Sequence, residues 1–304
     1  MVEFVPEDLA VVIPTRDRWK ILRWTLDALA AQTVSGFAVV VVVDGTDQTP
    51  IEARQARLIV KEHAGPAAAR NVGVHESDGR LVLFLGDDTI PQRDLVERHL
   101  DRHNAAPDQH VAVLGRITWH PEVSRDRVLS WLEWSGTQFD YDRIDGGEAG
   151  WGRFYSSNVS VKRDFFLDAG AFDEDFPNAA YEDLDCGWRL NQRGMQLLYE
   201  PRALALHHHL YDMDALGRRF AAVALGERIM IKKHPDFVPY FHDRVRTAIH
   251  RPRVSRVWPQ IVDRIPRTAG PLRRLAERRA NDWYYQQVAG PFLAAWERAD
   301  ARGS

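Results

Sequence analysis

Short apolar runs alternate with amphipathic segments through the first two thirds of the chain. LAVVIPT (9–15) is an apolar run that ends just past a proline, and FAVVVVVDG (37–45) is a β-branched run with no charge before Asp44. Runs of this kind read as strands buried on both faces. ARLIVKEH (56–63) and RLVLFLGDD (80–88) read as two more strands. Between them, DRWKILRWTLDALAAQT places Leu22, Leu26 and Leu29 at helical spacing, with Asp17 as its expected cap. GPAAARNVGVHES (65–77) reads as an Ala-rich helix opened by Pro66, and QRDLVERHLDRHN as an amphipathic helix. Strands alternating with helices predict a parallel α/β sheet.

The second half has a different rhythm. VAVLGRITWH (111–120) reads as a strand, and FYSSNVSVKRDFFLDAGAFDEDF (154–176) as a strand, a short helix and a turn. YEDLDCGWRLNQRGMQ (181–196) reads as a helix stopped at Gly194. LLYEPRALALHHH (197–209) is a strand ending in three histidines, and beyond Asp212 the pattern is helical or irregular. The predicted division is therefore a domain over 1–210 and a helical extension over 211–304. In the extension, LGRRFAAVALGERIMIKKH (216–234) predicts a packed helix. The aromatic-rich NDWYYQQVAGPFLAAWERA (281–299) is expected to cover a groove or a partner protomer, since exposing it is costly.

Composition narrows the function classes. A net charge of −3 gives no global signal for nucleic acid. The single cysteine, Cys186, excludes an internal disulfide framework. The opening MVEFVPEDLAVVIP lacks the basic and long apolar segments of a signal peptide, and no run approaches the roughly 18 apolar residues of a spanning helix, so a cytoplasmic protein is expected. Residues 244–279 contain eleven arginines, no lysine and two acids, Asp263 and Glu277. That segment reads either as a solvated surface or as a surface for an anionic polymer or for anionic lipid head groups, in peripheral contact with a membrane face.

In α/β sheets, ligands bind beyond the carboxyl ends of the strands, where the strand order switches. Asp44, Asp87 and Asp88 all stand at such ends. Adjacent carboxylates suit a hard divalent cation, Mg²⁺ or Mn²⁺, and an added imidazole shifts the preference toward Mn²⁺. Strand alternation puts His207 and His209 on one face and His208 on the other. The competing readings are a turn for Asp87–Asp88 and a surface cluster for the histidines. Glu182 and Asp183 open a helix, where acids are favoured by the helix dipole and where one can also serve as a general base. The DGT at 44–46 lacks the earlier nucleophilic Asp of haloacid-type phosphatases, since residue 42 is Val. The first turn, PTRDRW, lacks the GxGxxG of a dinucleotide-binding site.

The blocks VVIPTRDR, VVVVDGTDQT, GPAAARNVGV, LFLGDD, SNVSVKRDFFLDAGAFDEDF and YEDLDCGWRL, in this order, resemble the family 2 glycosyltransferases over about residues 9–210. The resemblance implies a GT-A fold, a Rossmann-like mixed sheet flanked by helices, with a nucleotide-sugar half (1–110) and an acceptor half (111–210). It also implies an inverting transfer from a nucleoside diphosphate sugar, UDP- or dTDP-linked, to a glycan, glycolipid or small-molecule acceptor. By the same resemblance Pro14, Thr15 and Arg16 touch the nucleotide, Asp44 reads the base and Arg70 lines the pocket. Asp87 meets the ribose or sugar, Asp88 binds Mn²⁺ or Mg²⁺, and His207, or else His209, completes the metal. Asp183 is the base, with Glu182 beside it holding the acceptor. Trp151, Tyr155 and Asn158, in GEAGWGRFYSSN, are the candidates for substrate contact. Gly86 departs from the pattern, standing where relatives often carry another acid. Two other classes stay open: a sugar nucleotidylyltransferase, though IPTRDR lacks its Gly-rich loop, and a non-catalytic nucleotide-sugar-binding protein. A homo-oligomer is a further expectation.

Overall fold

The computed structural model describes residues 3–45, 55–124 and 126–301. The end of the VVVVDGTDQT block, from Thr46, lies outside them. The chain divides into two compact units, Met1–Val123 with Tyr141–His209, and Ser124–Asp140 with Leu210–Ser304.

The first unit begins with β1 (Leu9–Thr15), α1 (Trp19–Ala30), β2 (Ala38–Asp44), β3 (Arg57–Lys61), α2 (Pro66–His75) and β4 (Leu81–Leu85). β5 (Thr89–Pro91), α3 (Leu95–Ala105) and β6 (Val111–Trp119) follow. In the second unit, α4 (Arg127–Trp134) comes next in the chain. The first unit then resumes with β7 (Asn158–Lys162), α5 (Arg163–Asp168), α6 (Glu182–Gln192) and β8 (Gln196–His207). α7 (Met213–Lys233), α8 (Phe241–Ile249), α9 (Val257–Arg264) and α10 (Gly270–Ala301) complete the second unit.

Among the described residues of the first unit, eight strands form one sheet in the order β3-β2-β1-β4-β7-β6-β8-β5. β1 pairs in parallel with both β2 and β4, so the strand order reverses at β1. The expected parallel sheet holds over β3, β2, β1 and β4; β7 then runs antiparallel to β4 and β6, which makes the whole sheet mixed. β1, β4 and β7 are buried along almost their full length, as continuous apolar strands covered on both faces must be. α6 ends as expected, with Gly194 at φ +86° and the Met195 amide donating to the Leu190 carbonyl. Asp17 does not cap α1: Arg18 holds the cap position, and Asp17 sits at φ +53° in the turn before it.

A buried polar chain pins α3 to the sheet. Lys162 Nζ donates to His103 Nδ1 (2.8 Å), which leaves His103 Nε2–H to donate to Ser160 Oγ (2.8 Å). Ser160 in turn donates to His99 Nδ1 (2.8 Å), and His99 Nε2–H donates to Asn158 Oδ1 (3.0 Å). Asn158 Nδ2 donates to the carbonyls of Arg116 and Ala203 (3.1 and 2.9 Å), at the bulge where β6 and β8 shift register. Gly115 makes room for it, since a Cβ there would stand 2.2 Å from Asn158 Nδ2. Each donor is matched to one acceptor, so both imidazoles are fixed as neutral tautomers.

In the second unit, Trp131 of α4 stacks on Tyr284 of α10 (4.4 Å, 15°) and donates Nε1–H to Asn281 (2.9 Å). The buried Glu227 of α7 accepts the amides of Tyr240, Phe241 and His242 (2.6, 2.8 and 2.8 Å), satisfying the N-terminus of α8. The aromatics of 281–299 are taken up largely inside this unit: Tyr284, Tyr285, Phe292 and Trp296 are buried. Of the Arg-rich stretch, Arg251 holds Asp282, and Arg273 holds Glu277 and the carbonyls of Val262 and Ile265. No helix among the described residues is long and apolar enough to cross a membrane.

The histidine chain has a pH signature. Burial pushes His99 down from 6.5 to about 4, and burial with the charge of Lys162 holds His103 well below the usual range. The unfolded chain therefore binds more protons than the folded one below pH 6.5, so this stability is complete above that pH and declines as pH falls toward about 4. His99 alone accounts for about 3 kcal/mol across the interval. Urea unfolding at pH 7 and pH 4.5 should show a steeper acid loss for the wild type than for His99→Gln; parallel losses would contradict the assignment.

Candidate functional site

Asp87 and Asp88 follow β4 after Gly86 and are both buried. Two like charges in that position need positive neighbours, and four groups supply polar contacts. Thr15, at the end of β1, donates to Asp87 Oδ2 (2.8 Å), and Arg18 reaches Asp87 Oδ1 (3.1 Å) through one nitrogen and Asp88 Oδ2 through the other. His207 Nε2 lies 3.2 Å from Asp88 Oδ1, and His209 Nδ1 lies 3.1 Å from Asp88 Oδ2. The register of β5 on β8, Thr89 opposite His207, is what brings His207 beside Asp88.

The two acids are pushed apart. Burial, then the charge of Asp88, drives Asp87 up to about 7 against Arg18, Thr15 and Arg70. Burial also opposes ionisation of Asp88, but His207, His209 and Arg18 hold it well below the usual carboxylate range. Asp88 is thus an ionised carboxylate flanked by two imidazoles, a donor set that fits a divalent cation of the Mn²⁺ or Mg²⁺ type.

Arg70 links this pair to the N-terminus of α6. Its Nη1 donates to Glu182 Oε1 (3.0 Å) and its charge also acts on Asp87, while its guanidinium lies 5.3 Å from the Phe172 ring centre. Glu182 is buried, and burial with the charge of Asp183 raises it to about 7 against Arg70. Tyr181 precedes them at φ +74°, a left-handed conformation that a non-glycine residue holds only when its surroundings impose it. Asp183 accepts the Ser156 amide at Oδ2 (2.9 Å), and its buried Oδ1 has no hydrogen-bond partner among the described residues.

The other expected residues fall in different places. Asp44, at the end of β2, accepts from Lys61 (3.1 Å), His63 (2.7 Å) and the amides of Ala64 and Gly65 (2.9 and 3.0 Å). Burial works against its ionisation, but these four donors lower its pKa overall. Pro14 lies in β1; Arg16 is exposed and meets His63 (2.8 Å). Trp151 packs edge-on against Trp188 of α6 (5.0 Å), and Gly187 permits this approach, since a Cβ there would stand 2.4 Å from the Trp151 carbonyl. Tyr155 meets Tyr141 edge-on at 6.0 Å. Asn158 was expected at a substrate; it is fully buried, and its amide is spent on His99 and the β6–β8 bulge. Arg18 is the residue that sequence reasoning missed. Its only signal was a second arginine two positions after Arg16 in PTRDRW. Asn71 is structural, holding Phe172 by hydrogen bonds to both its carbonyl and its amide (2.9 and 3.0 Å).

The family model of Glycosyl transferase family 2 matches residues 10–166, slightly more than half of the chain, including the strands that carry Thr15, Asp44 and Asp87–Asp88. The chain belongs to glycosyl transferase family 2. It is 28% identical to validoxylamine A glucosyltransferase of Streptomyces hygroscopicus over 270 residues, which cover 76% of this chain and 62% of that protein. The chain thus spans about three fifths of the length of that relative. Among solved structures it resembles TarS of S. aureus, with a TM-score of 0.53 at 13% identity, covering 98% of this chain and 92% of that one. It also resembles the mannosyltransferase PcManGT of Pyrobaculum calidifontis, solved with GDP-Man and Mn²⁺, with a TM-score of 0.52 at 19% identity, covering 97% and 78%. The fold of this chain, a mixed sheet flanked by helices with a helical C-terminal part, is of the GT-A type.

Gly86 answers to packing. A Cβ on it would stand 2.6 Å from Thr89 Oγ1 and 3.2 Å from Asp88 Oδ1, and Thr89 is fully buried. Gly86→Ala should therefore lower stability by about 1–3 kcal/mol in denaturant unfolding. Adding Thr89→Ala should recover most of that loss; a double variant as unstable as the single one would place the strain elsewhere.

Proposed function

We propose that the protein transfers a sugar from a nucleoside diphosphate sugar, UDP- or dTDP-linked, to an acceptor hydroxyl with inversion at the anomeric carbon. The observation that carries this reading is the division of labour between two carboxylates, Asp88 and Asp183, whose neighbouring acids Asp87 and Glu182 both feel the charge of Arg70. Asp88 is surrounded by cationic and imidazole groups, whereas Asp183 keeps one buried oxygen without a hydrogen-bond partner among the described residues.

Each residue then has a physical task. Thr15 and Arg18 fix Asp87 in place, where it meets the ribose or sugar. Arg70 and Arg18 supply positive charge toward the diphosphate, whose charge grows as the glycosidic bond breaks. Asp44 is held by four donors, so accepting a base N–H requires one of them to yield; the half-exposed His63 is the least confined. Pro14 and Arg16 border the nucleotide. Asp88, with His207 and His209, would hold Mn²⁺ or Mg²⁺, which when bound supplies Lewis-acid charge at the diphosphate.

Asp183 Oδ1 takes the proton of the acceptor hydroxyl as its oxygen attacks the anomeric carbon from the face opposite the diphosphate. The bond from that carbon to the diphosphate oxygen breaks, and its electron pair leaves with the nucleoside diphosphate. The Ser156 amide fixes the other carboxylate oxygen, so the base is aimed before the acceptor arrives. Glu182, beside it, holds the acceptor. Trp151 and Tyr155 border the acceptor, which is a glycan, a glycolipid or a small molecule.

Asp183→Asn should leave nucleotide-sugar affinity near that of the wild type and lower turnover by roughly 10²–10⁴. Release of nucleoside diphosphate from a donor panel in Mn²⁺ measures this, and unchanged turnover would remove Asp183 from the role. Asp88→Ala should abolish the Mn²⁺-dependent part of nucleoside diphosphate affinity in calorimetry. If that part persists, Asp88 is no ligand.

A further inference from the structure

The histidine run has a second face. His207 and His209 stack in parallel 5.8 Å apart and address Asp88, while His208 turns the other way to Glu122, with Nε2 and Oε2 3.1 Å apart. His120, at the end of β6, lies against the His208 ring at 5.1 Å. We propose that His120, Glu122 and His208 form a separate divalent-cation site of the zinc class.

One ligand atom from each of the three residues falls within 4.8 Å of the other two. Zinc bonds of about 2.0–2.1 Å to nitrogen and oxygen put ligand atoms roughly 3.4 Å apart in a tetrahedron. The required movement is small, and Glu122, exposed on a turn, is free to make it. The two imidazoles are already placed by backbone hydrogen bonds. The His120 amide donates to the His207 carbonyl, and the His208 amide to the Asp88 carbonyl, both at 2.9 Å. The Val123 amide closes the turn onto the His120 carbonyl (2.9 Å), which brings Glu122 back over the pair. Trp24 packs on both rings, at 5.9 Å from His120 and 5.2 Å from His208, and limits their rotation.

The chemistry of this set differs from that around Asp88. Two imidazoles and one carboxylate, with a position open to water, favour Zn²⁺ over the harder Mn²⁺ or Mg²⁺. A cation there would clip the end of β6 to the backbone between His207 and His209. Its effect is thus to stiffen the segment that presents both rings to Asp88.

The test titrates metal-free protein with Zn²⁺ by calorimetry and with Co²⁺ by visible absorption. Asp88→Ala and His209→Gln serve as two independent backgrounds that disable the other set. In at least one folded background, one Zn²⁺ should bind per chain and Co²⁺ should give the intense bands of a tetrahedral site. Adding Glu122→Gln or His120→Gln, both at accessible positions, should weaken that binding roughly tenfold or more. Loss of Zn²⁺ binding in both backgrounds overturns the proposal. So does an affinity that neither added substitution weakens by that much.

Discussion

Two adjacent carboxylates at the end of a buried strand are the constraint on which the first unit turns. Asp87 and Asp88 repel each other in a setting with little water, so the fold must bring positive charge and donors to them from distant parts of the chain. Thr15 arrives from the end of β1 and Arg18 from the turn after it, His207 and His209 come from the end of β8, and Arg70 acts from α2. These groups come from three separate parts of the chain, the end of β1, the end of β8 and α2. The sheet order explains why they converge: β1 and β4 are neighbours at the point where the order reverses, and β5 returns β8 to the same edge of the crevice.

The same constraint separates two kinds of polar burial. Around Asp87 and Asp88 charge is compensated across many elements, so changing one partner shifts the others. Around His99 and His103 there is no charge on the rings at all, only a directed chain of donors from Lys162 to the carbonyls of Arg116 and Ala203. A chain with one direction has one satisfied arrangement, which fixes α3 against β7 and fills the bulge that aims the end of β8. The rigid network behind the sheet and the adaptable one at its edge are therefore linked through β8.

What was legible in the sequence was whatever a run of side chains announces by itself. β1, β2 and β4 are long, apolar and uninterrupted, and Asp44 and Asp87–Asp88 mark their ends. β5 was not legible, because three residues carry no period and its identity rests on pairing with β8. The place of Arg18 depends on a left-handed Asp17 that no pattern foretells. Asn158 looked like a polar residue near an acceptor because its partner, the bulge at Gly115–Arg116, exists only once β6 and β8 are paired. Likewise the grouping of 124–140 with the C-terminal helices rests on Trp131 meeting Tyr284 and Asn281, contacts spanning some 150 residues.

Gly86 shows how a local absence can have a long-range cause. Read as a motif, it is a missing acid and a question about the ligand count of a metal. Read as packing, it is the space that lets Thr89 turn inward, and Thr89 is the residue that opens β5 opposite His207. A larger residue at 86 would press on Thr89 and so on the register that delivers His207 to Asp88. The space at Gly86 and the imidazole at Asp88 thus meet in one residue, since Thr89 both fills the room beside Gly86 and pairs with His207 across β5 and β8.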